Sequence, residues 1–443
     1  MEHDMTRHLI GALLATAALS GPALAQTEVQ WWHAMGGELG AKLEQIAASF
    51  NETQADYKIV PVYKGSYPET LTAAIAAFRA KEQPAIVQVF EVGTGTMMAA
   101  KGAVYPVYKL MADQGKSFDT SEYLGPVVGY YSDPEGNVLS LPFNSSTPIM
   151  YYNKDVFAKA GLDPEIAPKT WAEVEAFSQK IVDSGAAKCG FTSGWISWVQ
   201  LENLSAIHDA AYGTRENGFA GLDTEFTFNG DVQVKHWDNL KKWADAGLFQ
   251  YGGPVGGNDA PPKFYTQECA IYMNSSASRA GVINNAKDFQ VGFAPLPYYD
   301  DMIAEPKNSI IGGATLWVLN GRKDAEYKGV AAFFDYLSSA EVQADWHQAT
   351  GYLPITNATY DLGMTQGYYA ANPGSDVAIQ QITRGTPSVN SKGLRFGNLT
   401  QVRDVIDSEF EALLGGQKTA KAALDSAVTR GNAILRDFEA ANK

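Results

Sequence analysis

The chain of 443 residues carries 34 Lys and Arg against 49 Asp and Glu, a formal charge of −15, so it lacks the basic surface that would point to a nucleic-acid backbone. With 45% apolar and 19% charged residues, its composition is that of a globular protein with material for two or three domains. After the first twenty-odd residues no apolar run is long enough to cross a bilayer.

At the amino end, Arg7 and His8 precede the apolar stretch Leu9–Leu19, then Ser20, Gly21, Pro22 and Ala23-Leu24-Ala25. That is the basic, apolar, small-x-small pattern of a secretory signal peptide, expected to span residues 1–25 and to leave Gln26 as the mature start. The sequence leaves the start open between Met1 and Met5. With no cysteine near the cleavage point, lipid anchoring is not expected, and the periplasm is the destination that fits.

Glu28–Trp32 reads as a strand, and the turn at Gly36-Gly37 opens a helix with Leu39, Leu43, Ile46, Ala47 and Phe50 on one face. Tyr57–Tyr63 alternates like a second strand, and Pro68 sits near the first turn of a helix through Phe78, where its missing N–H costs little. Ala85–Glu91 reads as a third strand. Strand and helix alternating at this spacing imply a parallel sheet with right-handed crossovers. Ligands bind such sheets beyond the carboxyl ends of the strands, so Trp32-His33, the Lys64–Tyr67 turn and Glu91 are expected to share a rim. Gly93-Thr94-Gly95 is no dinucleotide fingerprint, because G-x-G-x-x-G fails at Met98.

The stretch Pro142–Phe177 is the most ordered signal. Ile149–Tyr152 reads as a buried strand, Asn153 as the cap of a short helix that Gly161 stops, and Thr170 with Glu173 as a capping box. Trp171, Val174, Phe177 and Ile181 then form an apolar stripe. Further on come Trp195 and Trp198, the strand-like Cys269–Met273 before Asn274-Ser275-Ser276, and Phe289–Pro297 as a strand into a proline turn. Leu316–Leu319, a helix carrying Val330, Phe333, Phe334 and Leu337, and terminal amphipathic helices through Phe438 complete the chain. Cys189 and Cys269 are the only cysteines, free to bridge or to stay separate. Six histidines without ligand spacing make no zinc site, and no cofactor is expected.

The succession Tyr-Asn-Lys-Asp, Ala-Gly-Leu-Asp-Pro and Pro-Lys-Thr-Trp within 152–171 resembles the periplasmic solute-binding proteins of ABC importers, of the maltose-binding-like type. The resemblance implies an α/β fold of two lobes, each a mainly parallel sheet flanked by helices, joined by crossing strands at a hinge. Residues 26–143 and 292–336 would form the N-terminal lobe, and 144–291 and 337–443 the C-terminal lobe. Tyr57–Tyr67, Gln88–Met98, Phe143–Pro148, Gly194–Asn203, Ile310–Val318, Thr350–Thr356 and Arg395–Arg403 narrow it to the glycerol-phosphate-binding branch of that family. By that resemblance the ligand contacts are Tyr67, Glu91, Ser146, Ser275, Gly313, Tyr352 and Arg403, with Trp195 and Trp198 as an aromatic wall. Ser275 stands in wording that departs from the branch's usual pattern.

The ligand implied is sn-glycerol 3-phosphate, extended to glycerophosphodiesters such as glycerophosphocholine, whose quaternary ammonium suits aromatic faces. The partner implied is the membrane permease of the importer, with the protein itself a monomer that catalyses nothing. Arg403 is the expected phosphate anchor, and Glu91 the expected acceptor for glycerol hydroxyls. Each residue has a plainer reading: Arg403 as a surface ion pair, Glu91 as a helix-terminal carboxylate, the tryptophans as core. A sugar or oligosaccharide binder of the same fold, and a secreted hydrolase with paired carboxylates, are the rival functions.

Overall fold

The structure, a computed structural model, describes residues 26–254 and 259–443. The expected signal peptide, 1–25, lies outside the described residues. Ten strands follow in order: β1 (Thr27–His33), β2 (Tyr57–Tyr63), β3 (Ile86–Phe90), β4 (Leu141–Ser146), β5 (Pro148–Asn153), β6 (Cys189–Ser193), β7 (Phe249–Tyr251), β8 (Cys269–Ser275), β9 (Val291–Ala294) and β10 (Gly312–Val318). They form two five-stranded sheets, β2-β1-β3-β10-β4 and β7-β6-β8-β5-β9. Each begins with two parallel pairs and ends with two antiparallel ones.

The chain crosses between the sheets twice. At Thr147 it passes from β4 into β5 with one residue between them, and after β9 it returns through 295–311 to β10. The expected boundaries at 143/144 and 291/292 therefore shift, because Ser146 still pairs with Gly312 in the first sheet and Val291 pairs with Asn153 in the second. The crossings lie side by side: the Thr147 hydroxyl is 2.6 Å from Ser309 Oγ and donates to the Ile310 carbonyl at 3.0 Å.

The helices follow from the patterning. In α1 (Gly37–Thr53), Leu43, Ile46, Ala47 and Phe50 are buried on one face. Helix α2 (Tyr67–Ala80) starts with Pro68 in its first turn, and Glu69 accepts from the Ser66 N–H at 2.6 Å. Asn153 caps α3 (Lys154–Lys159) by accepting from Val156 N–H, and Thr170 with Glu173 forms the capping box of α4 (Trp171–Asp183). Helix α5 (Asp324–Leu337) lays Val330, Phe333, Phe334 and Leu337 into the first lobe's core, where Trp31 meets Phe143 and Phe333. Burial of each such side chain contributes about 1.5–3 kcal/mol. Helix α6 (Ala340–Thr350) adds Trp346 to that core, so the expected boundary at 336/337 shifts as well. Helices α7 (Leu399–Leu414) and α8 (Ala420–Asn442) pack against each other and against the second lobe.

Cys189 and Cys269, left open by the sequence, are bonded to each other. They are the first residues of β6 and β8 and lie opposite each other in register.

Candidate functional site

One cavity of about 710 Å³ opens where the carboxyl ends of the parallel strands of both sheets meet, the rim at which loops and helix starts can reach a ligand. From the first sheet, Met35 follows β1, Tyr67 begins the helix after β2, and Glu91 follows β3. Ser146 ends β4, and Gly313 sits at the amino end of β10, which reaches the same rim because β10 runs antiparallel. From the second sheet, Trp195 and Trp198 follow β6, and Ser275 ends β8. Tyr352, just after α6, and Arg403, in α7, complete the lining. All nine residues singled out from the sequence thus line one cavity.

Two tyrosines are set by stacking. The Tyr67 ring lies parallel to Phe90 at 5.3 Å, and the Tyr352 ring parallel to Trp346 at 5.5 Å. Asn144 Nδ2 donates to the Tyr67 hydroxyl at 2.9 Å, while its Oδ1 accepts from Gln88 at 2.9 Å. Burial pushes both phenols above their ordinary value, that of Tyr67 well above it. Each stays protonated as an O–H donor, that of Tyr352 directed at Met35 Sδ at 3.8 Å.

Ser146 and Ser275 flank the crossing. Ser275 lies opposite Pro148 in register, and its Oγ accepts from the Ala277 N–H at 3.1 Å, capping the short turn that follows β8. Gly313 has φ +86, and a Cβ there would stand 1.9 Å from the Asn144 carbonyl oxygen. Only glycine fits that close approach.

The two tryptophans divide in role. Trp195 is half-buried with a left-handed φ of 49, a conformation held where surroundings dictate it. Trp198 is buried; its indole N–H donates to the Ile311 carbonyl at 3.4 Å, and its ring fills the space over Gly312. Trp198 is therefore as much a packing contact across the return crossing as a wall.

Arg403 is not the free cation that the sequence reading expects. Its side chain is 1% exposed, and Nε and Nη2 donate to the two oxygens of Glu202 at 2.8 and 2.7 Å. Nη2 also donates to Glu91 at 2.7 Å. One guanidinium between two buried carboxylates has its charge already offset. Burial pushes the Glu91 carboxyl up, with Arg403 opposing and Glu202 adding to the rise. For Arg403, burial works against the charge, but Glu202 and Glu91 together hold its pKa above the ordinary value. Nor is it a surface ion pair.

Sequence reading missed Glu202 and Asn144. Both lie inside the informative stretches Gly194–Asn203 and Phe143–Pro148, but neither spacing nor residue type separates them from structural neighbours. Among the described residues, no cluster of His, Cys, Asp and Glu suited to a metal occurs.

Residues 45–374 match the model of the bacterial extracellular solute-binding proteins. The chain belongs to that family. This solute-binding protein is 49% identical over 438 residues to the sn-glycerol-3-phosphate-binding periplasmic protein UgpB of Yersinia pseudotuberculosis, covering 98% of this chain and 99% of the relative. It is 49% identical over 413 residues to the protein of that name from Rhizobium meliloti, at 93% and 95% coverage. Among solved structures it is similar to UgpB of Mycobacterium tuberculosis in complex with glycerophosphocholine (TM-score 0.77, 20% identity, 93% and 99% coverage). It is also similar to maltose-bound MalE3 of T. maritima (TM-score 0.74, 19% identity, 93% and 100% coverage). The two-lobed solute-binding fold is common to this chain and those two structures.

Proposed function

We propose that this protein is the periplasmic receptor of an ABC importer that captures sn-glycerol 3-phosphate, together with glycerophosphodiesters, and hands them to the membrane permease as a monomer. The observation that carries the reading is the make-up of one cavity lining. It contains the buried Arg403–Glu91–Glu202 group, which offers both donors and acceptors and has no net positive charge to spend. It also contains uncharged donors: the hydroxyls of Tyr67, Ser146, Ser275 and Tyr352, and the backbone at Gly313. A phosphate beside two carboxylates is repelled, so it takes the uncharged donors, and the glycerol hydroxyls bridge Glu91 and Arg403. This reverses the role first expected of Arg403. Trp195 covers the carbon backbone and, in a diester, the head group beyond the phosphate. The named relatives, nearly half identical over the whole chain, support the same ligand.

Calorimetric titration of the mature protein with sn-glycerol 3-phosphate, glycerophosphocholine and maltose tests it. Both phosphorus compounds are expected to bind and to raise the melting temperature, by about 2.7 kcal/mol of stabilisation at a hundredfold excess over Kd, and the diester is expected to be recovered unhydrolysed. Heat from maltose alone would establish the sugar-binding rival, and hydrolysis of the diester the enzymatic one.

A further inference from the structure

Glu202 arrives in the site through a π-helical turn, Trp198–Glu202, in which every residue is buried. Asn203 fastens that turn: its Nδ2 donates to the Trp198 carbonyl at 3.0 Å, and its Oδ1 accepts from the Ile310 N–H of the return crossing at 3.0 Å. The Glu202 carboxylate is thus held to the crossing between the lobes, and its side chain is 1% exposed.

A guanidinium grips an oxyanion through an edge that presents two parallel N–H donors. Arg403 has two such edges. Glu202 fills the Nε/Nη2 edge with both of its oxygens, at 2.8 and 2.7 Å, and Glu91 takes the remaining Nη2 hydrogen at 2.7 Å, which is half of the Nη1/Nη2 edge. No complete edge remains for a ligand. The two hydrogens that remain are both on Nη1 and diverge, so they serve separate acceptors such as hydroxyls and cannot close in parallel on one tetrahedral oxyanion.

We propose that Glu202 is the specificity-determining residue of the cavity: by occupying the arginine fork it turns a group that would seize any phosphate or sulfate into one that recognises a hydroxyl, so that inorganic anions are refused and phosphate esters of small polyols accepted. The proposal rests on the ligand reading given above and adds the exclusion of free phosphate to it. Glu202 is a positioning residue: it acts on the ligand through Arg403.

The test is the ratio of the dissociation constants of inorganic phosphate and sn-glycerol 3-phosphate, measured by calorimetry on the mature parent and on Glu202→Gln. Glutamine keeps the shape and one acceptor oxygen, frees one of the two donors of that edge, and leaves Glu91 as the only carboxylate on Arg403. In the parent, inorganic phosphate is expected to bind at least roughly a hundredfold more weakly than the ester; in the variant the gap is expected to narrow by roughly tenfold or more. A merely structural Glu202 would lower affinity for both ligands and leave the ratio in place, which overturns the proposal. Should the variant not fold, the parent alone decides: inorganic phosphate displacing the ester at comparable concentration shows that the fork is open. A parent that binds no glycerol phosphate removes the ligand reading and this inference together; a parent that binds it, with an unmoved ratio, removes only this one.

Discussion

Arg403 and its two acids are almost wholly buried, so the response to substitution differs from that of an ordinary ligand contact. Arg403→Ala leaves Glu91 and Glu202 buried without a counter-charge, and is expected to cost about 3–5 kcal/mol of stability without any ligand present. Denaturant unfolding of the unliganded variant checks this; a midpoint equal to that of the parent would mean that the guanidinium is not the partner of both carboxylates. Loss of binding in that variant therefore says little about ligand contact. The sequence identifies Arg403 and Glu91 separately, each in its own motif, but not their contact across 312 positions. Nor does it point to Glu202, which owes its place to the backbone of a π-turn and not to a pattern of side chains.

At the scale of elements, local chemistry is well written in the chain. Asn153 and the Thr170–Glu173 pair cap the helices they predict, and Tyr57–Tyr63 alternates over the strand it forms. What is not local is not written. The place of β10 between β3 and β4, and the pairing of β9 in the second sheet, depend on which edges are left to fill once the crossings are made. Helix α6 illustrates the point: it ends at Gly351, with φ +86, and the chain turns back to send Tyr352 into the cavity. His347 secures this return, donating from Nδ1 to the Tyr352 carbonyl and accepting at Nε2 from the Tyr369 hydroxyl at 3.1 Å.

Burial lowers the His347 pKa to about 4 from 6.5, with the Tyr352 carbonyl opposing and Arg279 adding a little. The unfolded chain takes up this proton below pH 6.5 while the folded one resists until about pH 4. Stability is therefore lost as pH falls through that window, on the order of 3 kcal/mol from this residue when the descent is complete. His347→Gln is expected to flatten the pH dependence of the denaturation midpoint between pH 6.5 and 4, and an unchanged slope would assign it to other groups.

For the whole molecule, the disulfide and the cavity occupy opposite ends of the second sheet. Cys189 and Cys269 open β6 and β8, whereas Trp195 and Ser275 stand at the far ends of the same strands. The bond closes a loop across 80 positions, worth about 4 kcal/mol by chain entropy. Replacing both cysteines by serine is expected to lower the melting temperature while leaving the ligand dissociation constant within about twofold, since sites so far apart act independently. A large change in affinity would show that the clamp shapes the cavity as well as the fold.

The order of strands in the first sheet also bears on how the polypeptide is made. β3 and β4 are not neighbours; β10 lies between them, and it comes from residues 312–318. A nascent chain that has emitted three hundred residues still holds an open gap in its first sheet, and every strand of the second sheet must be synthesised before that gap can close. Such long-range closure folds slowly, so the polypeptide stays pliable until most of it has emerged, which suits a chain that must be threaded through a membrane before it takes its final shape.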